Sequence, residues 1–230
     1  MTRVDVALLA ALARSGASDP AVLADRLAAA CVAVLGIAGA AITFSLQHGR
    51  WLPVGVSDPA SELAERLQFT LGAGPCAEVG PTPVRADLQE LRRRWPALAT
   101  RLVDRTPFRS LVRVPLTGGL SHLAALHLHL TRPDGTGAPE AGVAEAAHFV
   151  SQHLMAATGP GAPGRELGRP GWLLGPRVEA RQRIWRATAL LCARDGGTGQ
   201  EALGLLRAMA VERGLDLDEV ADLVVAGQWP

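Results

Sequence analysis

Lysine, asparagine and tyrosine are missing from this 230-residue chain, so all 23 of its basic residues are arginine. Together with abundant Ala, Gly and Pro, that bias points to a GC-rich coding sequence and says nothing of function. An excess of either charge is missing too. The 23 basic residues face 22 acidic ones, leaving +1, which excludes a general polyanion binder and confines any nucleic-acid contact to a local patch. Cysteine is scarce. Cys31, Cys76 and Cys192 are far apart and odd in number, which excludes a disulfide scaffold and a paired Cys-x-x-Cys metal site and fits a reducing cytoplasm. The uncharged stretch from Leu27 to Gln47 has the length of a membrane span. Gly36 and Gly39 break it, and its second half, Ala41-Ile42-Thr43-Phe44, is β-like. Arg3, Asp5, Arg14 and Asp19 interrupt any secretory apolar region. A cytoplasmic protein without a membrane segment is expected. Gly-x-Ser-x-Gly, a phosphate loop and His-Glu-x-x-His are all missing, so no enzyme is expected. With 48% hydrophobic and 20% charged residues, the chain can offset the entropy of ordering and build a core.

The clearest boundary runs from Thr158 to Pro176, where Gly and Pro supply about half of the residues and regular structure is not expected. It divides the chain into residues 1–158, a linker over 159–176, and residues 177–230. In the first part helices are predicted from Val4 to Arg14 and from Pro20 to Leu35, the latter capped by Asp19. Strands Ala40–Leu46 and Trp51–Val56 flank a turn over residues 47–50. Ser57-Asp58-Pro59 opens a helix to about Phe69, and Leu71-Gly72-Ala73-Gly74-Pro75 forces a loop. A short strand at Val84, a helix from Pro96 to Arg105, strands Ser110–Thr117 and Leu120–Thr131, and a helix from Pro139 to Ala157 complete the part. This order describes an α+β domain, an antiparallel central sheet with flanking helices. The remainder reads as three helices, Val178–Arg194, Gly199–Arg213 and Asp216–Ala226, a bundle small enough to lean on a partner or on the first domain.

Particular residues carry a resemblance. Leu67-Gln68-Phe69, then Leu71-Gly72-x-Gly74-Pro75-Cys76, Pro83-Val84, Asp87-Leu88, Trp95-Pro96 and Val114-Pro115-Leu116 resemble the GAF domains of actinobacterial GAF-ANTAR regulators, over most of 20–157. Glu201-Ala202, Leu205-Leu206-Arg207, Ala210, Leu217, Val220-Ala221 and Val224-Val225 are similar to the second and third helices of an ANTAR domain. The resemblance implies a GAF-like sensor that controls a three-helix RNA-binding module opposing transcription termination. The implied partners are a structured RNA hairpin, a small molecule in the sensor and a second copy of the chain; no cofactor is named. The first helix departs from the pattern. Where ANTAR domains show Gln-Ala-Lys-Gly, this chain has Arg186-Ala187-Thr188-Ala189, which removes a phosphate-directed charge. A second reading is therefore open, in which the sensor binds a small molecule and the tail serves dimerisation or a protein partner without RNA.

Arg177, Arg181, Arg183, Arg186 and Arg194 face one acid, Glu179, within that helix. At 3.6 residues per turn Arg183, Arg186 and Arg194 fall within an arc of about 80°. Arg183, Arg186, Thr188 and Arg194 are the candidate RNA contacts. Val178, Trp185 and Cys192 recur every seven residues, as a helix–helix seam does. In the first domain, Trp51, Phe69, Cys76, Asp87, Trp95 and His127 are the candidate lining of a ligand pocket. Cys76 after Gly72-x-Gly74-Pro75 permits a reactive thiol at a helix start or a small buried group. His127 and His129 leave one face of one strand, as a ligand-facing or solvent-facing row. No further ligand has suitable local spacing, so no metal is expected. Arg92-Arg93-Arg94 beside Trp95 reads as a solvated face.

Overall fold

The computed structural model describes residues 2–16, 19–46, 50–78, 80–159 and 169–228. Helices α1 (Arg3–Arg14) and α2 (Leu23–Leu35) precede strands β1 (Gly39–Leu46) and β2 (Arg50–Val56). Then come α3 (Pro59–Leu71), β3 (Val84–Ala86), α4 (Leu88–Arg94), α5 (Pro96–Arg105), β4 (Ser110–Pro115), β5 (Ala124–Leu130) and α6 (Glu140–Ala156). The tail holds α7 (Pro176–Asp195), α8 (Gly199–Arg213) and α9 (Leu217–Val225). The five strands form one sheet in the order β2-β1-β5-β4-β3, with every neighbouring pair antiparallel. The architecture is α+β with a helical C-terminal region, as the sequence leads one to expect. Residues 47–49 of the turn expected over 47–50, and most of the linker, 160–168, lie outside the described residues.

Alternation along the strands sends successive side chains to opposite faces, and the two faces differ. Ala40, Ile42, Leu52, Val54, Val112, Val114, Leu126, Leu128 and Leu130 join Leu27, Cys31, Phe149 and Val150 in the main core beneath α1, α2 and α6. The opposite face carries Thr43, Arg113, His127 and His129, all buried, and is covered by α3, by the turn at Pro75–Ala77 and by the tail. Behind α3, Leu67, Leu91, Leu98, Leu102 and Phe108 form a smaller core with α4 and α5.

Three details differ from expectation. A short helix, α4, precedes α5 as a separate element, with Arg92, Arg93 and Arg94 on its exposed face. Asp87 starts it, accepting a hydrogen bond from the Glu90 amide at 2.7 Å, and Arg93 and Arg94 pair with Glu90 and Glu78. Leu120 closes a 3-10 turn over Gly118–Leu120 instead of opening the strand, so β5 begins at Ala124. The end of the linker is packed. Residues 171–173 form a 3-10 turn, and Trp172, 3% exposed, stacks on Phe44 with ring centroids 4.9 Å apart. A large aromatic gains enough burial to hold its Gly-rich surroundings in place. Among the described residues, no helix is long and apolar enough to cross a membrane.

The tail packs directly on the first domain. Trp51, Phe69 and Cys76 share one apolar cluster with Ile184, Ala187, Leu191, Leu206, Leu217 and Val220. Backbone and side-chain hydrogen bonds join the two parts. The Arg207 Nε donates to the Phe69 carbonyl at 3.0 Å, and the Leu217 amide donates to Thr70 Oγ1 at 3.3 Å. Arg177 bonds Asp25 at 2.8 Å, and Arg105 reaches Asp216 at 3.2 Å. The seven-residue seam of Val178, Trp185 and Cys192 is used within the chain. Val178 and Trp185 pack on the main core, and Cys192 on the tail cluster.

Candidate functional site

The site starts from a polar stripe on α3. Helical spacing of three and four residues stacks Ser61, Glu65 and Gln68 on one face, and all three are buried against the sheet. Opposite them β5 presents His127 and His129, two residues apart and hence on the same face. His127 Nδ1 lies 3.0 and 3.1 Å from the two Glu65 oxygens, and His129 Nε2 lies 3.2 Å from Glu65 Oε1. Ser61 Oγ sits 3.0 Å from His129 Nδ1, and Thr43 Oγ1 sits 3.2 Å from His127 Nε2. Neither histidine faces solvent. Each is a buried member of a hydrogen-bonded network, which corrects the expectation of a solvent-facing row.

Cys76 enters this network from the loop after α3. Gly72 ends the helix at φ 61° and Gly74 takes φ 111°, both in the left-handed region. A Cβ on Gly74 would lie 2.7 Å from Leu98 Cδ2, and one on Gly72 would lie 2.9 Å from Arg207 Nη1. The two glycines thus let the chain reverse tightly against both α3 and the tail. The reversal places the Cys76 amide on Gln68 Oε1 at 3.2 Å. The Cys76 thiol then donates to Glu65 Oε2 at 3.1 Å and lies 3.0 Å from His127 Nδ1.

Burial opposes the Glu65 charge, but the charges and hydrogen bonds of His127 and His129 outweigh it and hold the carboxyl far below the ordinary range. The Cys76 thiol is pushed well up by burial and by Glu65, against the opposing pull of Arg113 and Arg181. It is a protonated hydrogen-bond donor and not a free nucleophile. Cys31, buried without such partners, is raised to about 12.

Arg181 of α7 covers the cluster. Its guanidinium sits 3.4 Å from the Phe69 ring centroid, and the residue is 3% exposed. Burial lowers it to about 10, with Asp218 and Glu65 working the other way. Its Nε has no hydrogen-bond partner among the described residues. A cavity of about 30 Å³, lined by Pro53, Glu62, Glu65, Arg66, Arg177 and Arg181 among others, lies beside it. That is room for about one water.

Of the six expected pocket residues, Trp51, Phe69, Cys76 and His127 converge here, with Trp51 and Phe69 edge to face at 5.0 Å. The space they enclose is filled by their own side chains and the tail. Asp87 and Trp95 lie elsewhere. Asp87 caps α4 and borders an open cavity of about 390 Å³ with Arg85, Glu90 and Asp134. Trp95 packs at the α4–α5 junction under Arg94. Glu65 was missed by sequence reasoning, as was Arg181 in this role. The available signal was the stripe itself, Ser61, Glu65 and Gln68 recurring at i, i+4 and i+7.

The four expected RNA contacts also divide. Arg183, Arg186 and Arg194 lie on the exposed face of α7. Arg183 pairs with Asp222 at 3.1 Å and Arg194 with Asp195 at 2.8 Å. Thr188 is on the other side, 2% exposed, its hydroxyl donating to the Ile184 carbonyl at 2.8 Å. A lysine there would enter the tail core and not join the basic face.

Residues 174–225, which span α7, α8 and α9, match the family model of the ANTAR domain. Two solved structures resemble the chain in part. One is a domain of a two-component sensor histidine kinase protein from Sinorhizobium meliloti 1021, at 14% identity and a TM-score of 0.44, covering 56% of this chain and 86% of that one. The other is the GAF domain of a phosphoenolpyruvate-protein phosphotransferase from Coxiella burnetii, at 11% identity and a TM-score of 0.40, covering 66% and 95%. No curated protein matches the sequence.

Proposed function

We propose that this chain is a signal-responsive regulator of transcription antitermination, in which residues 1–158 act as the sensor and an ANTAR-like tail binds structured RNA. The supporting observation is that the ANTAR-matching segment presents Arg183, Arg186 and Arg194 to solvent while its opposite face rests on Phe69 and Cys76. A change in the sensor core therefore bears directly on the helix that carries the RNA face, and no enzymatic step is needed. A signal passes only if its input favours one arrangement of the tail over another, and the Arg181 contact is the element such an input acts on. The protein works in the cytoplasm under this reading.

The test is binding of the full chain to RNA hairpins across a salt series. Affinity should fall linearly in log–log form, and Arg186→Ala should reduce the slope by about one, while Arg92→Ala leaves it unchanged. Salt-insensitive or absent binding defeats this reading. A second reading then takes over, that the tail is a dimerisation or protein-interaction module. Leu190 and Leu205, 44% and 42% exposed among the large apolar side chains, favour it.

A further inference from the structure

We infer that Glu65, Cys76 and His127 form a binding site for one first-row divalent metal ion of the Fe²⁺ to Zn²⁺ series. The donor atoms of these three residues all lie within 4.8 Å of one another, and all three residues are buried. Their separations are more telling. Cys76 Sγ to Glu65 Oε2, Cys76 Sγ to His127 Nδ1 and His127 Nδ1 to Glu65 Oε2 measure 3.1, 3.0 and 3.1 Å. Ligands about 2.1 Å (N, O) and about 2.3 Å (S) from one ion, held at right angles, stand about 3.0 to 3.1 Å apart. The three donors thus already form one triangular face of an octahedral shell.

The surrounding shell is what a metal ligand set requires. Thr43 Oγ1 engages His127 Nε2, which leaves Nδ1 to point at the cluster. Gln68 fixes two ligands at once, its Nε2 donating to Glu65 Oε1 at 3.3 Å and its Oε1 receiving the Cys76 amide. His129 holds Glu65 Oε1 from the other side. Chemistry favours a borderline or thiophilic ion, because a thiol and an imidazole outnumber the single carboxylate. On binding, the Cys76 S–H bond breaks, a sulfur–metal bond forms, and the proton passes to solvent together with any proton on His127 Nδ1. No electron is transferred. The thiolate and carboxylate together offset the two charges of the ion. The ligands come from α3, the loop after it and β5, so the site assembles only in the folded chain. It stands whether or not the tail binds RNA.

The test uses the full chain stripped with a chelator and titrated with Zn²⁺ or Co²⁺, with no RNA present. One equivalent should bind. Co²⁺ should produce a thiolate-to-metal charge-transfer band, and at least one proton, that of Cys76, should be released per ion in weakly buffered solution. Cys76→Ser should abolish the band, His127→Gln should weaken binding at least tenfold, and Cys31→Ser and Cys192→Ser should change nothing. Circular dichroism checks that each variant folds. If Cys76→Ser does not fold, the His127→Gln titration and the wild-type band decide the matter. Absence of stoichiometric binding by wild type, or a band that survives Cys76→Ser or disappears in Cys192→Ser, overturns the site.

Discussion

The two faces of the sheet are built from the same strands and do different work. Under α1, α2 and α6 the residues are Ala, Ile, Leu and Val, and burial alone stabilises them, at roughly 25 cal/mol per Å² of apolar surface. Under α3 and the tail the corresponding positions are Thr43, Arg113, His127 and His129. Burying such groups is unfavourable unless each finds a partner. The contrast teaches where this fold can respond to its surroundings. The apolar face has no chemistry to alter, whereas the polar face holds a charge balance that depends on every member.

The largest expected effect comes from breaking that balance. His127→Leu leaves Glu65 buried with one imidazole where it had two, and removing one partner of a buried pair costs about 3–5 kcal/mol. Glu65→Leu combined with His127→Leu should cost clearly less than the two single changes added together, as denaturant unfolding would reveal. Strict additivity would mean the two residues do not act as a unit. On the apolar face, Leu126→Ala should cost about 3 kcal/mol through lost burial and a cavity. Unlike the charge change, it should do so equally at every pH.

Acid sharpens the contrast further. The folded-state pKa of Glu65 lies below its unfolded value, so its contribution is complete above the ordinary carboxylate range and is lost as pH falls. Between about pH 5 and pH 3, unfolding midpoints of the wild type should drop more steeply than those of Glu65→Gln. The difference should approach one proton, or about 1.4 kcal/mol per pH unit. Parallel slopes would show that Glu65 is not the linked group.

Arg181 gives the smallest effect and the opposite sign. Its pKa is lowered to about 10 chiefly by burial, so the folded chain releases this proton before the unfolded chain does. Stability attributable to the group therefore rises between about pH 10 and the ordinary arginine range, and at neutral pH its charge is a net cost. Arg181→Met should stabilise the full chain by about 1 kcal/mol, since apolar replacement of a buried charge is often favourable. Destabilisation would mean that the stacking on Phe69 outweighs desolvation.

Much of the apolar face was legible beforehand, because alternation and helical spacing are local properties. The helix from Gly199 to Arg213 was placed to the residue, its capping Thr198 and terminal Gly214 being local as well. The polar face was only half legible. Cys76 and His127 stood out by residue type, but they meet through a crossover of 51 positions, which local spacing does not contain. Glu65 gave no signal by type, since an acid within a helix usually faces water. Asp87 misled for the converse reason, a cap resembling a site residue when only its neighbours in sequence are weighed. Thr188 misled because correspondence to a family position was read as exposure.

The start of α7 is seated on the first domain and its later turns bury one face in the tail cluster. Trp172 stacks on Phe44 and Arg177 binds Asp25, whereas Arg194 at the far end is exposed. The helix has 20 residues, hence a length of about 30 Å. Packed along one face, it is a rod that carries displacement along its length. Displacements around Cys76 and Arg181, on the packed face of α7, would thus be carried to the opposite face where Arg186 and Arg194 meet solvent.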